Sequence, residues 1–185
     1  MNTYNIGIIV GSLRKQSYNK KIAAFICEQP ANKFNYRVIE IGDLPLYNQD
    51  FDDENHVPES WKTFRKTIQS IDAILFVTPE YNRSVPAVLK NALDIGSRPY
   101  GHSVWDKKPA AIVSVSPGGI SGFGANHHLR QSLVFLNMPT LQQPEAYIGH
   151  INSLIDKNGK ITNNDTLKFF QKIIDAFVEL IERYN

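Results

Sequence analysis

Short apolar runs rich in β-branched residues alternate with helical patterns along this chain. Four such runs lie at residues 5–10, 37–41, 73–77 and 110–115, and each is too short to form a helix. A helix over 126–136, a fifth strand within 141–148 and a long last helix over 165–184 complete the pattern. Parallel strands need crossover connections, which here are helical. The alternation therefore predicts an α/β fold, with a doubly wound sheet of five parallel strands covered by helices on both faces.

Length and composition predict one domain over residues 1–185, large enough to bury a core without disulfides. The net charge is only +2 and no block of basic residues occurs, so we expect no nucleic-acid partner. The single cysteine, Cys27, lies in a predicted helix, which favours a packed thiol. Because the N-terminal apolar run is too short for a signal peptide or a membrane span, we expect a cytoplasmic protein with no membrane partner.

The segment GSLRKQSYN at residues 11–19, here called the anion loop, follows the first strand and precedes a helical pattern. Ser12, Ser17 and Asn19 can donate hydrogen bonds, and Arg14 offers a planar fork that suits a phosphate or carboxylate. A helix N-terminus would add free N–H groups and a partial positive charge. The alternative is that Ser17 or Asn19 only caps the helix and Arg14 is a solvated charge. The loop matches neither the dinucleotide pattern G-x-G-x-x-G nor the P-loop pattern.

Residues 78–86, TPEYNRSVP, follow the third strand and are called the proline loop. Pro79 and Pro86 restrict the backbone, so the N–H groups of Glu80, Tyr81 and Asn82 could face a ligand. An aromatic side chain beside an amide suits the edge of a heteroaromatic ring. The alternative makes Tyr81 a packing residue and Pro86 the start of a helix.

Residues 116–124, SPGGISGFG, follow the fourth strand and are called the glycine loop. Their glycines either let the backbone approach a flat ligand or form a flexible turn that caps the next helix. Doubly wound sheets bind ligands beyond the carboxyl ends of their strands. The three loops are therefore expected to converge on one site.

Other kinds of active site are less consistent with the sequence. No G-x-S-x-G elbow occurs, which disfavours a serine hydrolase. Adjacent His127 and His128 point in different directions from a helix, and one cysteine cannot complete a zinc set, so we expect no metal. Each histidine could face solvent, the core, the ligand or a subunit contact. The acidic run at 52–54 is expected in an extended, solvated loop, without the carboxylate pairing of a glycosidase.

The three loops, in this order and spacing, resemble the NADPH-dependent FMN reductase family, over nearly the whole chain. That resemblance implies a flavodoxin-like fold with strand order 2-1-3-4-5. It implies an FMN phosphate on the anion loop, an isoalloxazine ring bordered by the proline loop, and closure by the glycine loop. The implied FMN-binding residues are Ser12, Leu13, Arg14, Ser17, Tyr18, Asn19, Pro79, Glu80, Tyr81, Asn82, Ser116, Gly118 and Gly119.

The resemblance also implies hydride transfer from NADPH or NADH to the flavin, and then reduction of a quinone, flavin, azo compound or similar small acceptor. The flavin performs this chemistry, so no catalytic acid or base is assigned, and Tyr81 and Asn82 are the nearest candidates. The rival functions are a flavodoxin-type electron carrier and a flavin-binding sensor without fast NADPH turnover. Such carriers are typically acidic for steering to their partners, whereas this chain carries a net positive charge.

The family commonly forms homodimers or homotetramers, and the helix after Pro86 and the segment 97–105 are the candidate contacts. Trp105 and Tyr100 in that segment could instead pack within one subunit. The 2′-phosphate of NADPH could contact one of four basic residues, Lys15, Lys20, Arg83 or Arg98. For each residue alone, a solvated surface charge is the simpler interpretation.

Overall fold

Five parallel strands form one sheet in this computed structural model, which describes residues 3–29 and 33–184. The strands are β1 (Tyr4–Val10), β2 (Phe34–Ile39), β3 (Ala73–Thr78), β4 (Ala110–Val115) and β5 (Ala146–Ile148). Their order is β2-β1-β3-β4-β5, and every neighbouring pair is parallel. The predicted doubly wound sheet and its strand order are confirmed.

Helices connect the strands and cover both faces of the sheet. They are α1 (Tyr18–Glu28), α2 (Asp50–Asp53), α3 (Glu59–Gln69), α4 (Ala87–Gly96), α5 (Phe123–Phe135), α6 (Ile151–Leu154) and α7 (Asn164–Glu182). Apolar residues of α1 and α7 form one core cluster, and those of α3, α4 and α5 form another on the opposite face. β3 and β4 are buried throughout because both faces are covered. Within the described ranges no helix is long and apolar enough to cross a membrane.

β2 begins three residues earlier than the sequence pattern predicted. Phe34 packs edge-on against Tyr36 and against Phe177 of the distant helix α7, with ring centroids 5.6 and 5.9 Å apart. Residues 34–36 alternate between apolar and polar side chains, as a half-buried strand does. Three residues are too few to predict a strand by themselves, and the surface that buries Phe34 comes from α7. The prediction at 37–41 therefore missed the first half of the strand.

The prediction of an extended, solvated loop at 52–54 is right about the exposure of Asp53 and Glu54 but wrong about Asp52 and about the extended backbone. Asp50–Asp53 form the short helix α2, and the side chain of Asp52 is only 4% exposed. Both carboxylate oxygens of Asp52 accept hydrogen bonds from the guanidinium of Arg65, at 2.7 and 2.8 Å. The Arg65 Nε–H also donates to the Ile95 carbonyl at 3.0 Å. This ion pair joins α2, α3 and the end of α4.

Two sequence ambiguities are resolved by burial. Trp105 is fully buried and donates from Nε1 to the Leu93 carbonyl at 3.0 Å, so it packs within the subunit. Tyr100 is 87% exposed and remains available to a partner. Cys27 is half-buried, and burial raises the pKa of its thiol, which fits a packed residue.

Candidate functional site

The three loops leave the same edge of the sheet, beyond neighbouring strands. β1 pairs with β3 through Val10 and Val77, and β3 pairs with β4 through Thr78 and Ser114. The Gly11 N–H donates to the Val77 carbonyl at 2.9 Å and fastens the start of the anion loop to β3. From β1 the chain crosses first to β2 on one side and later to β3 on the other. The loops thus surround the switch point, where ligands of such sheets bind.

The anion loop combines buried donors with an exposed cation. Ser12, Ser17 and Asn19 are each at most 4% exposed, whereas Arg14 reaches into solvent. The Ser17 hydroxyl accepts from the Lys20 N–H at 3.4 Å and so caps α1, as the alternative reading held. Capping uses a lone pair of the hydroxyl and leaves its proton free to donate. No acidic residue occupies the first turn of α1, so nothing there competes with a bound anion.

The unpaired polar groups of this loop fit the phosphate and ribityl chain of FMN. The Asn19 side-chain oxygen is buried and accepts no hydrogen bond from any residue that the structure describes. Within the described residues, the N–H groups of Ser12, Leu13 and Arg14 donate to no other group. Buried polar groups normally have partners. A phosphate supplies acceptors for N–H groups, and a ribityl hydroxyl supplies a donor for the amide oxygen.

The proline loop is a tight hairpin. The Tyr81 N–H donates to the Ser84 carbonyl at 3.0 Å, the Ser84 N–H returns the bond at 2.9 Å, and Asn82 and Arg83 between them have φ values of 51° and 64°. The expectation that the Tyr81 N–H faces a ligand is therefore wrong, because the hairpin uses it. The N–H groups of Glu80 and Asn82 donate to no described residue. The Tyr81 ring is half-exposed, as a ligand-bordering ring would be.

The Glu80 side chain ties the proline loop to helix α5. Its Oε2 accepts from the Ala125 N–H at 3.2 Å, and its Oε1 accepts from the Arg83 guanidinium at 3.1 Å. α5 begins after Gly122, which has a φ of 72° and no side chain to cap the helix. A Cβ on Gly124 would lie 2.7 Å from the Arg83 carbonyl oxygen, so glycine permits this contact. Sequence reasoning missed this cap because its carboxylate lies 45 residues away.

The two histidines contact different neighbours. His128 Nδ1 lies 2.9 Å from the Ser84 hydroxyl, a second link between α5 and the proline loop. His127 Nε2 lies 2.9 Å from the Tyr147 hydroxyl. Burial and nearby Glu145 raise the pKa of Tyr147 to about 12, so its phenol keeps its proton at neutral pH. In the described parts of the chain, no group of three or more metal-ligating side chains is placed to hold an ion.

The glycine loop lies beside the proline loop and is open to solvent. The Ser116 N–H donates to the Ile148 carbonyl at 2.9 Å, and its hydroxyl accepts from the Gly118 N–H at 3.0 Å. Gly118 and Gly119 are exposed. Gly122 is the N-cap residue of α5, as the capping alternative predicted, and Gly124 allows close packing against the Arg83 carbonyl.

Comparison with known proteins identifies the family. Residues 4–153 match the family model for NADPH-dependent FMN reductase. The chain belongs to this family. A quinone reductase of Pseudomonas putida is 56% identical over 179 residues, which cover 97% of this chain and 95% of that protein. A 2-hydroxy-1,4-benzoquinone reductase of Burkholderia sp is 45% identical over 172 residues, 93% of each chain.

A solved structure extends the likeness of this FMN reductase family member to three dimensions. FerB, a flavoenzyme NAD(P)H:(acceptor) oxidoreductase of Paracoccus denitrificans, has a TM-score of 0.91 and 38% identity, over 98% of this chain and 99% of that one. The predicted family, the flavodoxin-like fold, the oxidoreductase class and the dependence on FMN and NAD(P)H are confirmed. The single domain and the individual FMN-binding residues stay predictions.

Replacing Glu80 by alanine is expected to lower the free energy of unfolding by about 1–2 kcal/mol, because helix α5 loses its cap and a partly buried N–H loses its acceptor. Glu80→Gln keeps an acceptor and should recover part of the loss. Urea unfolding measures both. Arg83→Ala removes only the exposed partner of Glu80 and should cost less than about 0.5 kcal/mol. Equal losses in Glu80→Ala and Arg83→Ala would contradict the capping role.

Proposed function

We propose that this chain is a single FMN-binding domain that catalyses the reduction of a quinone or a similar small acceptor by NAD(P)H. The observation that carries the proposal is the set of N–H groups in the anion loop that donate to no described residue, beside the buried hydroxyls of Ser12 and Ser17, at the switch point of the sheet. Relatives named quinone reductase, at 56 and 55% identity, support this acceptor class. Absence of basic blocks argues against a nucleic-acid role.

Each loop has a distinct task in this proposal. Ser12, Arg14, Ser17 and Asn19 hold the phosphate and the ribityl chain, and the Leu13 and Tyr18 backbone completes that end. The phosphate carries about −1.5 to −2 charges at neutral pH, which one guanidinium, neutral donors and a helix N-terminus can offset without a metal. Bound there, FMN would supply the hydride-transfer chemistry between NAD(P)H and the acceptor.

In this proposal the protein binds and orients the two substrates, and the flavin supplies the redox chemistry. The proline loop, from Pro79 to Asn82, borders the ring on one side, and Ser116, Gly118 and Gly119 border it on the other. Glu80 contributes through its backbone, because its carboxylate is committed to α5. Tyr81 and Asn82 are exposed, so an incoming nicotinamide or quinone can contact them. An open site suits two substrates that bind in turn.

A homodimer or homotetramer is also part of the proposal. Tyr100 and Phe135 are 87 and 83% exposed, and both line a surface cavity at the end of α4. Exposed apolar side chains grouped in this way are typical of protein contact surfaces. Sedimentation of the FMN-loaded protein checks this, and a monomer at all concentrations would exclude it.

The activity is tested by the visible spectrum of FMN-loaded protein without oxygen. Adding NADPH should bleach the flavin absorbance rapidly, and a quinone should restore it. Flavin that NADPH leaves oxidised would contradict the reductase and favour an electron carrier or a sensor. Failure of the protein to bind FMN would overturn the site itself. Repeating the experiment with NADH measures the preference between the two donors.

A further inference from the structure

A cavity lies beside the anion loop, on the side away from the proline and glycine loops. Its volume is about 210 Å³, and it opens between α1 and the end of edge strand β2. Ser12 and Leu13 of the anion loop form one end of it, and Ala24, Val38 and Glu40 lie along its sides. We call it the edge groove.

The groove exists because small side chains face an uncovered strand end. Ala23 and Ala24 of α1 line it and leave room where longer side chains would fill the gap. Val38 lies two residues after Tyr36, which packs against the core on the α1 face, so Val38 points to the same face. Val38 is nevertheless 46% exposed, and Leu13 is 51% exposed. Two partly exposed aliphatic side chains thus flank an apolar slot.

The rim of the groove carries one cation and one anion that do not pair with each other. Lys20 has a single long contact, from its ammonium to the Leu13 carbonyl at 3.5 Å. The Glu40 carboxylate makes no hydrogen bond or ion pair with any described residue. Glu40 directly follows β2, where a carboxylate can accept hydrogen bonds from a ribose diol.

These features match an adenosine 5′-phosphate unit: an apolar slot for the purine, a carboxylate for the ribose and an ammonium for the phosphate. Ser12 belongs to both the anion loop and the groove, so one ligand can occupy the two together. We propose that the edge groove binds the adenylate part of a dinucleotide, and that this chain therefore accepts FAD as well as FMN. The inference rests on the proposed FMN site, since the flavin phosphate must lie on the anion loop.

NADH also contains an adenosine 5′-phosphate unit, and the groove residues would bind that unit in the same way. The unpaired Glu40 carboxylate would repel the 2′-phosphate of NADPH, so the groove suits an adenosine with a free 2′-hydroxyl. The two sources make different demands on the protein. FAD places its adenylate in the groove as a tightly bound cofactor, whereas NADH does so only during turnover.

Calorimetric titration with FMN, FAD and adenosine tests the groove. The variant Ala24→Phe places a ring in the slot from an exposed helix position, so the core is not disturbed. We expect FAD and adenosine to bind at least about tenfold more weakly to this variant and FMN to bind within about twofold of the original affinity. Glu28→Phe adds the same ring to an exposed position on α1 beyond the groove, and it should change none of the three.

The outcomes separate this inference from the proposed function. An Ala24→Phe protein that binds FAD and adenosine as before, with an unchanged KM for NADH, would overturn the groove. Equal losses for FMN and FAD would also overturn it. Unchanged FAD affinity with a raised KM for NADH and weaker adenosine binding would overturn FAD as the occupant and assign the adenylate groove to the hydride donor. If the original protein fails to bind FMN, the proposed function falls, and adenosine binding still tests the groove.

Discussion

Replacing Asp52 by alanine is expected to destabilise this protein by about 3–5 kcal/mol, because it leaves the guanidinium of Arg65 buried without its partner. The Asp52 and Arg65 side chains are only 4 and 12% exposed, and two bonds of 2.7 and 2.8 Å join them. The guanidinium also lies 5.5 Å from the Trp61 ring, so it cannot swing out to solvent without losing that contact. Urea unfolding measures the loss.

The neighbouring carboxylate provides a matched control. Asp53 lies in the same short helix but is exposed, and its hydrogen bond is to Gln49 at 3.1 Å. Asp53→Ala should therefore cost less than about 0.5 kcal/mol. A loss below about 1 kcal/mol for Asp52→Ala would mean that the Asp52–Arg65 pair adds little to the joint between α2, α3 and α4. Replacing both partners by apolar residues should cost less than Asp52→Ala alone, since no buried charge is then left unpaired.

Replacing Arg14 by alanine is expected to weaken FMN binding by about 10- to 100-fold, which corresponds to the 1.5–3 kcal/mol typical of a hydrogen bond to a charged group. The Arg14 side chain is exposed, and its single contact is a 3.4 Å bond to the Gln16 carbonyl. It is therefore free to turn toward a phosphate on the loop. Flavin fluorescence titration at two salt concentrations measures the change, which should shrink at high salt.

Two comparisons make the Arg14 experiment specific. Riboflavin lacks the phosphate, so its affinity should be the same for the original protein and for Arg14→Ala. Lys15→Ala removes an adjacent exposed charge and should change FMN affinity by less than about threefold. If Arg14→Ala weakens riboflavin as much as FMN, the guanidinium acts on the loop conformation and not on the phosphate. An unchanged FMN affinity would remove Arg14 from the site.

The predicted strands and the observed ones agree where burial is continuous. β4 has the predicted bounds, and β3 differs by one residue, because buried parallel strands appear as unbroken apolar runs. α5 begins three residues before its predicted start. Its cap is Glu80, on another loop, and a cap that is supplied across the fold leaves no local signal.

Within the site, the sequence identified the loops better than the roles of individual groups. The anion loop brings the hydroxyls of Ser12 and Ser17 and the amide of Asn19 together in one turn, and the structure adds that all three are buried. The Tyr81 N–H was assigned wrongly, since its partner, Ser84, depends on a hairpin with two left-handed residues. The edge groove was not predicted. It depends on the space between α1 and β2, which no single segment specifies.

The sequence by itself determined the βα alternation, the sheet it implies and the hydrogen-bonding side chains present at residues 11–19, since periodicity and side-chain type act within short segments. The tertiary structure alone decided that Asp52 pairs with Arg65, that Glu80 caps α5 and that a groove opens beside the anion loop. Each of these joins residues from different elements. Their energies come from burial and from distances between segments, which are fixed only when the helices pack on the sheet.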